Sequence, residues 1–339
     1  MLLAGDIGGT KTLLGLFEPA VDRPRSLVVR EYATLDFDSL DELIQVFLDD
    51  TDAESRLQGF CLGVAGPVTG LMARLTNVPW LADASVFAER WPNCPVLLLN
   101  DLEAMAHAVP VLEPDELAVL QAGIPVPSGN AALIAAGTGL GEALLHNVDG
   151  RFVPSASEGG HADFAARTTR ELALVEHLTA IHGRVDNDRV ISGPGLANLF
   201  RFTHGFQSGS GVCPAIGPGI DNGELPAAIS RSAMAGSCNH CGEALELFVS
   251  AYGAEAGNLA LRSVATAGVY IGGGIAPKIL PALENGSFLE AFRGKEPLVD
   301  LLRTIPVSVI LNPAAGLLGA AVRAMGNGAM KQRGNGAME

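Results

Sequence analysis

Gly5-Asp6-Ile7-Gly8-Gly9-Thr10-Lys11-Thr12 decides how the chain reads. Two nucleotide-binding signatures come close to it and neither fits. A P-loop needs glycine directly before Lys-Ser/Thr, and Thr10 stands there. A dinucleotide fingerprint needs a helix after its glycines. Here residues 12–17, Thr-Leu-Leu-Gly-Leu-Phe, are strand-like, as are residues 2–6. The stretch therefore predicts two strands joined by a Gly-rich hairpin. Such a turn can hold phosphate, because backbone N–H groups converge on an anion where no side chain intervenes. Gly8 and Gly9 would supply N–H groups, Thr10 a hydroxyl and Lys11 a cation. Asp6, at the strand end, is placed to orient hydrated Mg²⁺, a hard cation that favours carboxylate and water. An ordinary hairpin with an Asx turn accounts for the same residues.

Outward from the hairpin, residues 27–32 read as a third strand and 39–50 as a helix with Ser39 as N-cap. Buried strands follow at 60–64 and 96–99, the second running into Asn100-Asp101 and a helix over 102–109. After a Pro- and Gly-rich break at 123–129 the pattern restarts, with strand 132–136, a tight turn at 137–141 and a returning strand at 142–147. Helices are predicted over 168–181, 195–202, 226–235 and 242–265, with late strands at 268–271 and 307–311. The tail repeats Gly-Asn-Gly-Ala-Met at 326–330 and 334–338 and reads as a disordered extension. Two openings of one kind predict two α/β lobes with a ligand between them, since interdomain clefts commonly hold ligands.

The restarted turn, Gly137-Thr138-Gly139-Leu140-Gly141, offers a second set of N–H donors. A third turn, Gly272-Gly273-Gly274, would let a flat adenine approach the backbone. Asp101 ends an apolar strand, and the mouth of a parallel sheet is where open α/β folds bind ligands. Its carboxylate can accept a hydroxyl proton during attack on phosphorus, or it can cap the helix from residue 102; the sequence leaves both open. Glu158-Gly159-Gly160-His161 places an acceptor and an imidazole in a bend, a pair suited to sugar hydroxyls. A satisfied structural histidine remains an equal reading of His161.

Bulk properties agree with a globular α/β protein: 339 residues, 48% hydrophobic, 17% charged and 41 glycines. A formal charge of −15 argues against general affinity for nucleic acid or anionic membrane. No signal peptide is expected, because Asp6 interrupts the first apolar run. Nor does any run reach the roughly 18 apolar residues of a membrane span. Five cysteines, Cys61, Cys94, Cys213, Cys238 and Cys241, fit reduced thiols in a cytoplasmic protein. Cys238-Asn239-His240-Cys241 has metal-like spacing, but no second pair or histidine lies at a matching interval. Free thiols are therefore expected there.

Taken together, the ordered motifs resemble the bacterial glucokinase family. They are Gly5–Thr10, Thr76-Asn77 with Trp80, Asn100-Asp101, Gly137–Gly141, Glu158–His161, Ser192-Gly193-Pro194-Gly195, Gly272–Pro277, Asn312-Pro313 and Gly316–Gly319. The resemblance spans roughly residues 3–322. It implies a two-lobed ribonuclease H-like, actin-like ATPase fold, with a small lobe of 1–111 plus 312–325, a large lobe of 112–311 and a tail of 326–339. It further implies ATP-dependent phosphorylation of glucose at the 6-hydroxyl, a homodimer, Asp101 as base, Asn100 as sugar ligand, and Glu158 and His161 on further hydroxyls. The family places another sugar-binding Glu four residues before the Ser of Ser-Gly-Pro-Gly; this chain has the shorter Asp188. The Cys-rich zinc motif of the repressor-related sugar kinases is absent. A sugar sensor of that kind would carry a DNA-binding module ahead of the hairpin, and actin- or chaperone-like ATPases lack the Asn-Asp and Glu-Gly-Gly-His contacts. A kinase for another hexose or another phosphoryl donor remains the alternative.

Overall fold

The computed structural model describes residues 1–75, 78–205, 213–217, 220–221 and 223–334, with backbone alone over 327–334. Thr76 and Asn77 of the family resemblance lie outside the described residues. The chain divides into two compact units, Met1–Pro114 with Asn312–Glu339, and Asp115–Leu311.

In the first unit, β1 (Leu2–Ile7), β2 (Lys11–Glu18), β3 (Arg25–Ala33) and β4 (Gly59–Val64) are followed by three short strands, β5 (Val68–Thr69), β6 (Met72–Arg74) and β7 (Leu81–Asp83), and then β8 (Val96–Asn100). The main sheet has the order β3-β2-β1-β4-β8; β1 pairs antiparallel with β2 and parallel with β4, and β4 pairs parallel with β8. Alternation along β1 gives the sheet two apolar faces. Leu3 and Ile7 join Leu40, Leu43, Ile44 and Phe47 of α1 (Leu40–Thr51), while Leu2 and Ala4 join Ala104 of α3 (Asp101–Ala108). Ser39 caps α1 as its sequence position predicts, accepting from the Glu42 amide. The short helix α2 (Ser85–Arg90) precedes β8.

The second unit repeats this plan. Its strands are β9 (Leu117–Gln121), β10 (Ala131–Ala136), β11 (Leu140–Val148), β12 (Arg151–Ser157), β13 (Gly268–Gly272) and β14 (Val307–Ile310), ordered β12-β11-β10-β13-β14-β9. Again the first two strands form an antiparallel hairpin, and β10 pairs parallel with β13. Among these strands, β9 and β12 are the two the sequence does not announce. Both are sheet edges, and Pro154 inside β12 is tolerated at an edge. The helices are α4 (Thr169–His182), α5 (Gly193–Thr203), α6 (Leu225–Met234), α7 (Asn239–Ser263), α8 (Leu280–Leu283), α9 (Ser287–Arg293) and α10 (Val299–Thr304). α7 runs through the core, burying Phe248, Val249, Tyr252, Ala256 and Leu259 with Ile134 of β10 and Ile271 of β13.

Helix α11 (Ala315–Gly334) returns to the first unit, where Leu317, Ala320, Ala321 and Ala324 pack with Leu2, Ala4 and Cys61. It continues through the first Gly-Asn-Gly-Ala-Met copy, where the sequence reading begins a disordered tail at Gly326. Each interior glycine costs a helix about 1 kcal/mol against Ala, a weakening that does not dictate a stop. Among the described residues, no helix is long and apolar enough to cross a membrane.

Candidate active site

In the first unit the predicted hairpin is closed by the Gly8 amide donating to the Lys11 carbonyl at 3.0 Å. Thr34 anchors it: its hydroxyl donates to Gly8 O at 2.8 Å, its amide donates to Thr10 O at 3.0 Å, and its Oγ1 lies 2.9 Å from buried Thr12 Oγ1. This anchor follows β3, too far along the chain to be read with the hairpin. Thr10 is exposed, and Lys11 pairs with Glu31 at 2.6 Å on the solvent side. Burial pushes the Asp6 carboxyl up to about 6, against the opposing pull of Lys11.

At the end of β8 the sequence left Asp101 as base or helix cap, and the structure assigns the cap to its neighbour. Asn100 Oδ1 accepts from Leu102 N at 3.0 Å and Glu103 N at 3.3 Å, and its amide donates to Gly66 O at 3.3 Å. Asp101 is the first residue of α3, half-buried, with Oδ1 accepting from its neighbour's amide, Leu102 N, at 2.9 Å. Its carboxylate lies at the positive end of the helix dipole.

In the second unit, turn 137–139 is held from three directions. Gly137 N donates to Gly139 O at 2.8 Å, Leu140 N donates to Asp188 Oδ1 at 2.6 Å, and Gly193 N, at the start of α5, donates to Gly137 O at 2.8 Å. The Gly272–Gly274 turn lies beside it, since Ala135 and Gly272 are register partners. Gly273 has φ +83°, and a Cβ there would stand 2.4 Å from Ala136 O, so glycine is required. Tyr252, fully buried, accepts from Ala136 N at 3.1 Å and reaches Gly272 O at 3.4 Å, tying both turns to α7. A tyrosine inside an apolar helix gives no sign of this in the sequence.

The Glu158–His161 bend is a 3₁₀ turn with Glu158 and His161 exposed. His161 Nδ1 lies 3.3 Å from Asp186 Oδ2, and Asp188 N donates to Gly160 O at 2.8 Å. His161, Asp186 and Asp188 thus converge, with their ligand atoms all within 4.8 Å of one another. Asp186 went unnoticed in the sequence, although it holds the imidazole that was expected to meet a sugar. Asp188, expected on the sugar, has one oxygen committed to the turn at 137–139, through the Leu140 amide. Burial pushes its carboxyl up, and the Leu140 amide opposes that shift.

Cys238 and Cys241 form no disulfide, as the expectation of free thiols requires, but they are not isolated. His204 and Cys213, distant in sequence, bring all four ligand atoms within 4.8 Å of one another. No matching interval announced them because they lie far apart in sequence and meet only where the end of α5 packs by the start of α7.

The matching family model is glucokinase, over residues 3–327. The chain is 39% identical to a glucokinase of Nostoc sp. over 95% of its own length and 98% of that protein's. The chain belongs to the glucokinase family. A glucokinase structure from an Antarctic psychrotroph, 29% identical, superposes with a TM-score of 0.82 over 96% of this chain and 98% of that one. A ROK family glucokinase of Streptomyces griseus, solved with glucose and AMPPNP, shares the fold at 20% identity, with a TM-score of 0.63 over 95% of this chain and 98% of that one. The actin-like, two-unit α/β architecture implied by the resemblance is therefore the fold of this family member.

Behind the Glu158–His161 bend, this glucokinase-family chain buries two carboxyls on one guanidinium. Arg262 Nη1 lies 2.6 Å from Glu255 Oε1 and 3.9 Å from Glu142 Oε2. Glu255 also accepts from Asn258 at 2.7 Å, and Lys295 donates to Asn258 Oδ1 at 2.6 Å. Burial, then the Glu255 charge, pushes the Glu142 carboxyl up to about 8. A methyl group on Gly159 would overlap Glu142 Oε2, so this acid lies directly against the bend.

Proposed function

We propose that the protein transfers the γ-phosphoryl group of ATP to the 6-hydroxyl of glucose, with Asp101 as general base. The observation that carries this reading is the placement of Asp101: half-buried, at the tip of a parallel strand, beside an asparagine already occupied as the helix cap. The new O6–P bond forms as the bridging O–Pγ bond breaks. Its electron pair leaves with ADP, and the hydroxyl proton passes to the Asp101 carboxylate.

Such transfer depends on positioning and charge neutralisation. Alignment of the alcohol with the γ-phosphate can supply about 7–11 kcal/mol, and a base contributes about 10²–10⁴-fold. Turns Gly8–Thr10, Gly137–Gly139 and Gly273-Gly274 are assigned to the phosphates and adenosine, with Lys11 as an added cation. Asn100, Glu158, His161 and Asp188 are assigned to the sugar. Asp6 fits a hydrated magnesium ion: it is a hard donor, and a side chain at Gly316 would come within 2.6 Å of its Oδ2, so glycine keeps that space open. Bound there, magnesium would neutralise phosphate charge. Homodimeric assembly and a cytoplasmic setting belong to the same reading.

Substituting Asp101→Asn tests it. Turnover should fall at least about 100-fold while glucose affinity changes far less. Near-normal kcat in that variant rejects Asp101 as the base.

A further inference from the structure

Away from the groups assigned to the reaction, three stretches of chain meet at one corner of the second unit. His204 is the C-cap of α5, Cys213 lies in the following segment, Cys238 is the N-cap of α7 and Cys241 sits in its first turn. Cys213 and Cys241 are 2% and 0% exposed. None of the four serves the proposed chemistry.

The distances match a metal polyhedron. Zinc with Zn–S of about 2.3 Å and Zn–N of about 2.0–2.1 Å has tetrahedral edges of about 3.8 Å between sulfurs and about 3.6 Å between sulfur and nitrogen. Here Cys213 Sγ and Cys241 Sγ are 3.9 Å apart, and Cys238 Sγ and His204 Nε2 are 3.4 Å apart. A disulfide would need about 2.05 Å between sulfurs, and Cys213, Cys238 and Cys241 form none.

The imidazole is also set for coordination. His204 Nδ1 lies 2.8 Å from the Phe200 carbonyl, which can only accept, so Nδ1 carries the proton. Nε2 then presents its lone pair to Cys238 Sγ. A backbone carbonyl fixing the tautomer in this way is the usual support of a metal-bound histidine. Thiolate and imidazole donors select zinc over hard magnesium or calcium, and four protein ligands leave no open position for chemistry.

We infer that His204, Cys213, Cys238 and Cys241 form a structural zinc site. Metal binding replaces three thiol protons, which pass to solvent as three Zn–S bonds form, while His204 binds neutral. The site joins the end of α5 to the start of α7. The opposite end of α5 holds turn 137–139 through Gly193, so the metal braces a helix that carries a glycine turn.

The test uses the full-length protein. Purified without added metal or chelator, it should contain about one zinc per chain by elemental mass spectrometry, released on titration with an organomercurial thiol reagent. Apoprotein titrated with Co²⁺ should develop thiolate-to-cobalt charge-transfer absorption and tetrahedral d–d bands, saturating at one equivalent. Cys238→Ser should lose the zinc and lower Tm; if it fails to fold, the cobalt titration of the unmodified chain still decides. Substoichiometric zinc with no cobalt charge-transfer band would overturn the site. So would a Cys213–Cys241 disulfide in the freshly isolated protein.

Discussion

Asp188 shows how one residue changes meaning between sequence and structure. The family pattern puts a sugar-binding glutamate at its position, yet Asp188 Oδ1 takes the Leu140 amide at 2.6 Å and so shapes the turn that begins at Gly137. Leaving that amide without an acceptor costs about 1–3 kcal/mol. Asp188→Ala should therefore lower Tm and raise KM for ATP as well as for glucose, whereas Asp188→Asn, which keeps an acceptor, should retain most of the stability. Steady-state kinetics and thermal melts of both variants check this; an alanine variant altered in glucose KM alone would return Asp188 to a purely sugar-binding role. Gly273 makes a sharper case. Gly273→Ala forces a side chain into φ +83° against the Ala136 carbonyl. The strain alone is about 1–3 kcal/mol, and a lowered Tm with weakened nucleotide binding is expected by melting and ligand titration.

At the scale of elements, what the sequence disclosed was local. The hairpin after Asp6, the cap at Ser39 and the strand leading to Asp101 each lie within a few consecutive residues and follow known turn and cap chemistry. What it concealed was convergence. Thr34 under the first turn, Tyr252 under the next two, Asp186 on His161 and His204 beside Cys238 come from separate elements, and only packing joins them. The Glu142–Glu255 pair is of this second kind, its members on β11 and α7. Because burial raises the Glu142 carboxyl from 4.5 to about 8, the folded state holds a proton that the unfolded chain has released. Stability should therefore be greatest below about pH 4.5 as far as this group is concerned, and fall as pH rises toward about 8. Glu142→Gln removes the titration. Denaturant unfolding across that window should show a flatter pH profile in the variant and a more stable protein at the alkaline end; equal slopes would place the raised carboxyl elsewhere.

For the molecule as a whole, two units repeat one strand order, and the groups assigned to the reaction are divided between them: Asp6, Asn100 and Asp101 in the first, Gly137–Gly139, Glu158, His161, Asp188 and Gly273 in the second. Water is smaller than glucose and can attack the same phosphoryl group, so we expect correct substrate to complete the catalytic arrangement before transfer begins. ATP hydrolysis without sugar is therefore expected to run far below the transfer rate; comparable rates would contradict this gating. The most direct measurement is ADP release by the purified protein, coupled to identification of the sugar product across a panel of hexoses and phosphoryl donors. The account predicts that ATP with glucose gives the highest kcat/KM, that glucose 6-phosphate accumulates in step with ADP, and that Asp101→Asn slows both at least about 100-fold. No glucose-dependent ADP, or phosphate appearing on a different hydroxyl, would contradict it.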